Sequence, residues 1–391
     1  MLTSIEQLAD ESVRQFAFPV CRSGVFFAHA GVTALPRCTA DAIIDYTRQS
    51  TEAHQEFGDV LRRIQEVRQT CAEVIGAEAR EIALLGPTSL GLSLFANGLP
   101  WREGDEIVGY QDDYPANVYP WRNLEQNGVR FVGLEPERPG EITPELVAAA
   151  LTPRTRLVAL ASCHFLTGYR IDVAAIGKVV HEHGALFSLD AIQTIGAFET
   201  RVDHVDFLSA DAHKWMLGPM VAGIVFVKAS HFELLRPSLL GAWNVRSPNF
   251  IAAEQLDFVA TAQRYEPGVL NCAGLFGMDA SLRMIQGIGQ SRVSARLLQL
   301  KAHLVNELQE RNYQIYGPAE GPHASSITTC YRPGMNLEAL SQFLTRKGVS
   351  LSLRHNRERQ TLLRFSPHFY NTLEECDRVL AWMDEFDAEN A

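Results

Sequence analysis

Two polar residues that follow short apolar runs, Asp190 and Lys214, are the groups in this sequence best suited to chemistry. Asp190 ends the run F-S-L-D, and Lys214 follows F-L-S-A-D-A-H, 24 positions further along the chain. A carboxylate so placed would keep a pyridine nitrogen protonated, and a lysine amine would form a Schiff base with an aldehyde. Burial among apolar or cationic groups lowers a lysine pKa, as this chemistry requires. The pair therefore indicates pyridoxal phosphate (PLP) as cofactor, with Lys214 also removing the α-proton of an amino acid.

The elements that would position these residues are alternating strands and helices. Strands are predicted at 81–85, 106–110, 129–133, 156–161 and 185–189, and helices at 39–77, 144–151 and 172–183, the last ending at Gly184. This alternation predicts a mostly parallel sheet that is covered on both faces, with ligands beyond the carboxyl ends of the strands. Asp190, Lys214, Tyr114 and Ser162–His164 all follow predicted strand ends.

A small-residue turn, G-P-T-S-L-G, precedes another predicted helix and places two hydroxyls at its start, Thr88 and Ser89. Free backbone N–H groups at a helix N-terminus bind phosphate, and hydroxyls add donors. The alternative is an ordinary helix cap, which uses the same residue types. With the lysine motif downstream, we interpret the turn as a phosphate site.

The C-terminal third changes character at about residue 275. Amphipathic helices, clearest at 297–308, precede strands at 324–330, 349–354 and 361–366 and helices at 337–347 and 372–387. This pattern predicts a C-terminal α+β small domain. The predicted organisation is an N-terminal segment at 1–20 that packs near the small domain, a large PLP-binding domain at 21–270 and a small domain at 271–391.

Bulk properties exclude several classes of protein. A length of 391 residues favours two domains, and 46% hydrophobic with 21% charged residues is typical of a globular enzyme. A net charge of −11 argues against nucleic acid or an anionic membrane as partner. The acidic, amphipathic N-terminus predicts no signal peptide, and the sequence has no apolar run long enough to span a membrane. Seven scattered cysteines predict reduced thiols in the cytoplasm, and no C-x-x-C spacing indicates a metal.

Four motifs together resemble a known family. They are P-T-S-L-G-L, A-D-A-H-K-W-M-L-G-P, R-Y-E-P-G-V-L-N and R-F-S-P-H-F-Y-N-T, in that order. They resemble class V of the fold-type I PLP-dependent enzymes, the branch of cysteine desulfurases, selenocysteine lyases and isopenicillin N epimerase. The resemblance implies the α/β fold of fold-type I PLP-dependent transferases, an amino-acid substrate, and a homodimer with its active site near the subunit interface.

The resemblance also implies cofactor contacts. Tyr114 would stack on the pyridine ring, although ordinary packing is the alternative. Gln193 would face the ring oxygen, and His213 would contact the phosphate. Gly268 and Val269 would offer backbone N–H groups to the partner's phosphate, where the family commonly has Thr in place of Val269.

Two further positions depart from the desulfurase pattern. His164 stands where desulfurases usually have Asn facing the phenolic oxygen of the cofactor. It would donate the same hydrogen bond or carry a proton, and the alternative is a histidine that only fixes its loop. Asp211 stands where desulfurases often carry Ser, which indicates another sub-branch, and an ionised Asp cannot donate to phosphate.

For the substrate, the resemblance assigns the α-carboxylate to Arg364, whose planar fork suits bidentate binding. Arg354 is a second candidate. His29 is expected beside the substrate because the entry segment of relatives passes the active-site mouth. The alternative for His29 is an incidental histidine in a turn.

The stretch at 354–361, R-H-N-R-E-R-Q-T, contains no cysteine, although desulfurases carry their nucleophilic thiol on this loop. We therefore expect a lyase that cleaves C–S or C–Se bonds, or another β-elimination, without a persulfide cysteine. An aminotransferase, an amino-acid epimerase and a non-catalytic PLP-fold binding protein remain as alternatives. His355, Asn356 and Arg357 would suit a substrate with an additional acidic group. The sequence leaves open the substrate side chain and whether this loop closes on it.

Overall fold

The computed structural model describes residues 2–53, 56–246, 251–252 and 254–390. Its helices are α1 (Glu11–Ala17), α2 (Arg37–Glu52), α3 (Phe57–Ile75), α4 (Thr88–Gly98), α5 (Tyr119–Arg122), α6 (Pro144–Ala150), α7 (Val173–His183), α8 (Cys272–Ile288), α9 (Gln290–Glu310), α10 (Leu337–Arg346) and α11 (Leu373–Asn390). Its strands are β1 (Val25–Phe26), β2 (Ile82–Ala83), β3 (Glu106–Tyr110), β4 (Arg130–Leu134), β5 (Thr155–Ala161), β6 (Leu186–Asp190), β7 (Phe207–Asp211), β8 (Gly223–Val227), β9 (Gln314–Ile315), β10 (Thr328–Tyr331), β11 (Val349–Ser350), β12 (Ser352–His355) and β13 (Thr361–Phe365).

The largest sheet has the strand order β2-β8-β7-β6-β5-β3-β4. Neighbours from β7 to β4 pair in parallel, and β8 runs antiparallel to both β7 and β2. The α/β class with a mostly parallel sheet is therefore confirmed. Since β3, β5, β6 and β7 point the same way, their carboxyl ends share one edge of the sheet.

Alternation of side chains along the strands explains why this sheet is buried on both faces. Ile107 and Leu157 belong to one apolar core, and their neighbours Val108 and Val158 belong to another. Successive side chains of a strand point to opposite faces, so continuous apolar runs need helices on each side. Helix α7 shows how these helices end, because Gly184 adopts φ = +86° at its C-cap, as predicted.

The second sheet, with the order β12-β13-β10-β9, is antiparallel and forms the α+β part with α9, α10 and α11. The predicted strand at 349–354 is instead two strands. Strand β11 pairs in parallel with β1, whereas β12 pairs with β13. The chain changes its pairing partner at residue 351, and this change divides the strand.

The division into 1–20, 21–270 and 271–391 stays a proposal, and the packing of α8 bears on its last boundary. Leu275, Phe276 and Leu282 of α8 belong to the core of the large sheet. The N-terminal Leu2, Leu8 and Phe18 share a core with Phe369 and Tyr370 near the C-terminus. Among the described residues, no helix is long and apolar enough to cross a membrane.

Candidate active site

A cavity of about 510 Å³ opens at the edge where the parallel strands end. Most of the predicted site residues line it. These are Thr88, Ser89, Tyr114, Asp190, Gln193, His213, Lys214, Arg354 and Arg364. They come from six separate stretches of the chain, and the fold brings them around one space. Their assigned roles stay predictions, but their convergence is a structural fact.

Lys214 follows β7 and is 7% exposed. Its Nζ lies 5.3 Å from the centre of the Tyr114 ring. Burial lowers the pKa of Lys214, the nearby charge of Asp190 opposes this effect, and Arg364 reinforces it. A lysine in these surroundings releases its proton more easily than one in water, as a nucleophilic amine must.

Asp190 is the last residue of β6 and is 3% exposed. Its Oδ1 accepts a hydrogen bond of 3.1 Å from the backbone N–H of Ile192. Burial raises the pKa of Asp190, and the neighbouring Asp113 adds to the shift. A cationic N–H beside this carboxylate would reverse the shift, because an opposite charge stabilises the ionised form. Asp190 therefore suits a protonated pyridine nitrogen.

The start of α4 provides an anion site at one end of the cavity. Pro87 is its N-cap and forms no side-chain cap, so backbone N–H groups of the first turn keep their capacity to donate. Thr88 Oγ1 accepts a 2.9 Å hydrogen bond from the backbone N–H of Asp211, which leaves its own hydrogen for a ligand. With Ser89 on the same turn, this arrangement suits phosphate.

His213 lines the same cavity, and its contact with Asp211 gives this unexpected aspartate a role. Nδ1 of His213 is 2.5 Å from Oδ2 of Asp211, which also accepts from the backbone N–H of Val221. This contact holds the imidazole of His213 in place at the cavity wall. Asp211 would therefore act through His213 and not as a phosphate ligand itself.

Gln193 is held from two sides. Its amide nitrogen donates to the carbonyl of Ala30 at 3.2 Å, and its amide oxygen accepts from Nε1 of Trp215 at 2.8 Å. These two bonds fix the orientation of the amide at the cavity wall. A second hydrogen of the amide nitrogen remains for the cofactor contact that the sequence predicts.

Arg364 lies in β13 on the opposite side of the cavity and is 1% exposed. Its Nη1 donates to the carbonyl of Phe165 at 2.6 Å, and its Nη2 donates to Oγ of Ser352 at 3.3 Å. Its buried Nε has no partner among the described residues. Burial lowers the pKa of Arg364 to about 9, so the side chain keeps its charge at neutral pH. A buried, charged and incompletely bonded guanidinium suits a carboxylate ligand.

The structure does not bring His29 or His164 to this cavity. His29 is fully buried and hydrogen-bonds at 2.9 Å to the carbonyl of Ser366 and the hydroxyl of Tyr370. His164 accepts from the backbone N–H of Thr167 at Nδ1, and its Nε2 donates to a carbonyl at 3.0 Å. Burial lowers the pKa of His164 to about 4, so it is neutral at physiological pH. Both placements match the alternatives in which these histidines fix local structure.

Gly268 and Val269 also lie outside this cavity, and Val269 is 79% exposed. Their loop is anchored by Glu266, whose carboxylate binds Arg68 through contacts of 2.7 and 3.1 Å. The contact of this loop with a partner's phosphate stays a prediction. Residues 247–250, in the matching stretch 241–271, lie outside the described part of the chain.

Sequence reasoning missed Asp113 and Phe165. Asp113 is buried beside the site, and burial raises its pKa to about 6. It accepts hydrogen bonds from the amide of Asn117 and the backbone of Tyr114 and Ala161. Phe165 supplies the carbonyl for Arg364, and its ring lies 5.5 Å from that of Tyr114. Both residues adjoin predicted ones, and that adjacency was the only available signal.

No cysteine lines the cavity, and all seven cysteines belong to the described residues. Cys163 and Cys330 are fully buried, and burial raises the pKa of Cys163 to about 11. The turn between β12 and β13 places His355, Asn356 and Arg357 beside a neighbouring cavity of about 410 Å³. Arg357 forms an ion pair there with Asp112. The cations of this turn therefore do not line the cavity of Lys214.

The residues of the main cavity fit PLP. The uncapped start of α4 with its hydroxyls suits the phosphate, Asp190 suits the ring nitrogen, and Lys214 suits the aldehyde. The Tyr114 ring lies at the same wall as the lysine. Each of these features matches a different part of the PLP molecule.

Comparisons with known proteins agree with this fit. Residues 25–379 match the family model described as Aminotransferase class-V. A probable cysteine desulfurase of Methanothermobacter thermautotrophicus is 30% identical over 301 residues, which cover 75% of this chain and 74% of that protein.

Two solved proteins share the fold. A cysteine desulfurase from Thermococcus onnurineus NA1 superposes with a TM-score of 0.90 at 24% identity, covering 96% of this chain and 98% of that one. The cystine C–S lyase C-DES, solved with its reaction product cysteine persulfide, gives 0.85 at 19% identity, covering 94% and 98%. Another structure of C-DES carries glycine covalently linked to its PLP cofactor.

Proposed function

This chain belongs to the class-V aminotransferase family and is a PLP-dependent enzyme, and we propose that it cleaves a C–S or C–Se bond at Cβ of an amino acid without forming a persulfide on a cysteine of the enzyme. The observation that carries the proposal is the absence of all seven thiols from the cavity that contains Lys214 and Arg364. The fold shared with the C–S lyase C-DES supports the same reaction class.

Each wall of the cavity has its own task in this reaction. Thr88, Ser89 and His213 would hold the phosphate, and Asp190 would balance the charge of the ring nitrogen. When bound, PLP supplies an electron sink for the charge that develops at Cα. Arg364 would hold the α-carboxylate and so orient the amino acid.

Lys214 would move the proton. Its Nζ takes the proton from Cα, and the Cβ–S bond then breaks with its electron pair leaving on sulfur. The lowered pKa of Lys214 makes the neutral amine accessible for this step near neutral pH. Hydrolysis of the remaining fragment gives pyruvate and ammonia. A desulfurase thiolate would instead attack sulfur, leave the electron pair on Cβ and give alanine.

The products therefore test the proposal. Purified holoenzyme is given L-cysteine, L-cystine or L-selenocysteine, and pyruvate, ammonia, alanine and protein-bound persulfide are measured. We expect pyruvate and ammonia in equal amounts and no alanine. Cys163→Ala should keep this activity, and Lys214→Ala should lose it.

Other products would identify the alternatives. Alanine with a protein persulfide would overturn the thiol-free reaction. A keto acid that keeps its side chain would indicate an aminotransferase, and a D-amino acid would indicate an epimerase. A protein that shows neither product nor the visible absorbance of bound cofactor would be the non-catalytic alternative.

A homodimer and a cytoplasmic location remain parts of the proposal. Val32, Met220, Val221 and Val269 are apolar residues that are 45–79% exposed, and Val32 lines the cavity. We propose that a second copy of the chain covers these side chains. Light scattering of the purified protein should give twice the chain mass of 43.5 kDa.

A further inference from the structure

We propose that Arg354 makes this site selective for amino acids whose side chain ends in a second acidic group. The inference rests on the proposed function and specifies its substrate class. In the lyase reaction, the second acid would lie on the leaving group, beyond the sulfur. Arg354 would thus be a specificity-determining residue next to Arg364.

The guanidinium groups of Arg354 and Arg364 converge on one point of the cavity. A Cβ placed on Gly31 would lie 3.7 Å from Nη2 of Arg354 and 3.8 Å from Nη2 of Arg364. Gly31 itself lines the cavity, and its missing side chain leaves space between the arginines and the backbone. Two like charges held this close repel each other unless an anion lies between or beside them.

Both arginines keep N–H donors without a partner among the described residues. Arg364 already has a fork for one carboxylate, because its Nε is free of partners among the described residues and Nη2 makes only a long bond to Ser352. Arg354 donates only to the carbonyl of Leu353 within the described chain, at 3.2 Å. An α-carboxylate held by Arg364 therefore leaves the donors of Arg354 available.

More cationic than anionic side chains line the described cavity. Lys214, Arg354 and Arg364 line it together with His213, and Asp190 is the only carboxylate among the described residues that line it. With PLP bound, Asp190 would balance the ring nitrogen and the start of α4 would hold the phosphate, so neither carboxylate nor phosphate would neutralise Arg354. One α-carboxylate matches Arg364, and a second acid completes the balance.

Other cations nearby do not serve this purpose. Arg357 lies only three positions from Arg354 in the sequence, but it is paired with Asp112 and faces the neighbouring cavity. Arg359 is exposed on the same turn. Arg359→Gln therefore removes one positive charge near the site without changing the cavity, and it is the matched control for Arg354→Gln.

A pair of isosteric substrates tests selectivity. They are the mixed disulfides of L-cysteine with 3-mercaptopropionate and with 3-mercaptopropionamide, which differ only in the terminal carboxylate. From pyruvate formation, we expect kcat/KM of the holoenzyme to be at least about tenfold higher for the acid. Arg354→Gln should reduce this ratio to near one, mainly by loss on the acid, and Arg359→Gln should keep it.

A binding measurement makes the test independent of the lyase reaction. Calorimetry with the holoenzyme compares glutarate with glutaramate, which has one carboxylate replaced by an amide. We expect glutarate to bind at least about tenfold more tightly, and Arg354→Gln to remove the difference.

The outcomes separate the two ideas. Absence of pyruvate with a preserved glutarate preference would reject the proposed reaction and keep the inference. Equal kcat/KM for both disulfides, together with equal binding of both acids, would overturn the inference. Equal losses on acid and amide in Arg354→Gln would also overturn it, because Arg354 would then share the α-carboxylate.

Discussion

Two buried lysines, Lys214 and Lys301, lie in different regions of the molecule and invite comparison. They are 7% and 1% exposed, and burial is the largest cause that lowers the pKa of each. Lys301, in α9, donates to the carbonyl of Ile327 at 2.8 Å, and the titratable group that acts on its pKa is the thiol of Cys163. Lys214 instead faces a cavity with Asp190 and two arginines.

The comparison shows that a shifted pKa does not by itself locate a reactive lysine. Both amines are expensive to bury in charged form, because desolvation disfavours the cation. Only Lys214 combines that cost with open space, a carboxylate and donors for two anions. Perturbed groups indicate a site when they share a cavity with complementary partners.

The largest expected effect is the loss of turnover when Lys214 is replaced by a neutral residue. Lys214→Ala should lower turnover by at least about 1,000-fold, since one group is both the cofactor linkage and the base. It should also abolish the visible absorbance of lysine-bound cofactor that borohydride removes. Circular dichroism should remain unchanged.

Lys301→Met is the matched control, and it should keep both the absorbance and the turnover. Retained absorbance in Lys214→Ala, or lost absorbance in Lys301→Met, would contradict the distinction between the two lysines. Either result would show that the cofactor is not attached where the cavity places it.

Two buried aspartates give the next largest effect. Asp190→Asn should reduce turnover on the order of 100-fold, because a neutral amide cannot balance a cationic ring nitrogen in a buried site. Asp206, which binds His181 and His231 at 2.8 Å each, is buried outside the cavity. Asp206→Asn should therefore lower the midpoint of thermal unfolding but keep kcat. An equal loss of kcat in both variants would contradict the assignment of Asp190.

The sequence alone predicts the part of this site that depends on local pattern. Asp190 and Lys214 follow apolar strands, and parallel strands bring such positions to one edge. Thr88 and Ser89 similarly follow from a turn before a helix. These inferences require only the order of strands and helices, which the periodicity of apolar residues predicts well.

The histidines could not be placed in this way. The environment of His29 comes from Ser366 and Tyr370, more than 330 positions away. The division of the predicted strand at 349–354 likewise depends on pairing between β1 and β11. Long-range contacts of this kind leave no trace in local composition. Asp113 was missed because its burial, and not its position, makes it unusual.

The buried amine of Lys301 should make the stability of the protein depend on pH. Burial lowers the pKa of Lys301 to about 8 from a value near 10.5 in the unfolded chain. Between these values the unfolded state binds more protons, so this lysine makes stability rise with pH. Lys301→Met should raise the free energy of unfolding at pH 7 by about 1–2 kcal/mol, the loss of one hydrogen bond offsetting part of the gain.

The same variant should show a smaller increase in stability between pH 8 and 10 than the parent protein. Urea unfolding at several pH values would measure both effects. A parallel pH dependence in the two proteins would mean that Lys301 keeps its ordinary pKa, and the similarity between the two lysines would then disappear.

The smallest effect should come from Arg357, a cation near the cavity but on the surface. Its side chain is 56% exposed and that of Asp112 is 37% exposed, so water and salt screen their attraction. Arg357→Ala should lower the free energy of unfolding by less than about 1 kcal/mol, and 1 M salt should remove the difference. A double-mutant cycle with Asp112→Asn isolates the pair. An exposed ion pair should contribute little to holding the two sheets together. A coupling energy above about 2 kcal/mol that persists in salt would contradict this expectation.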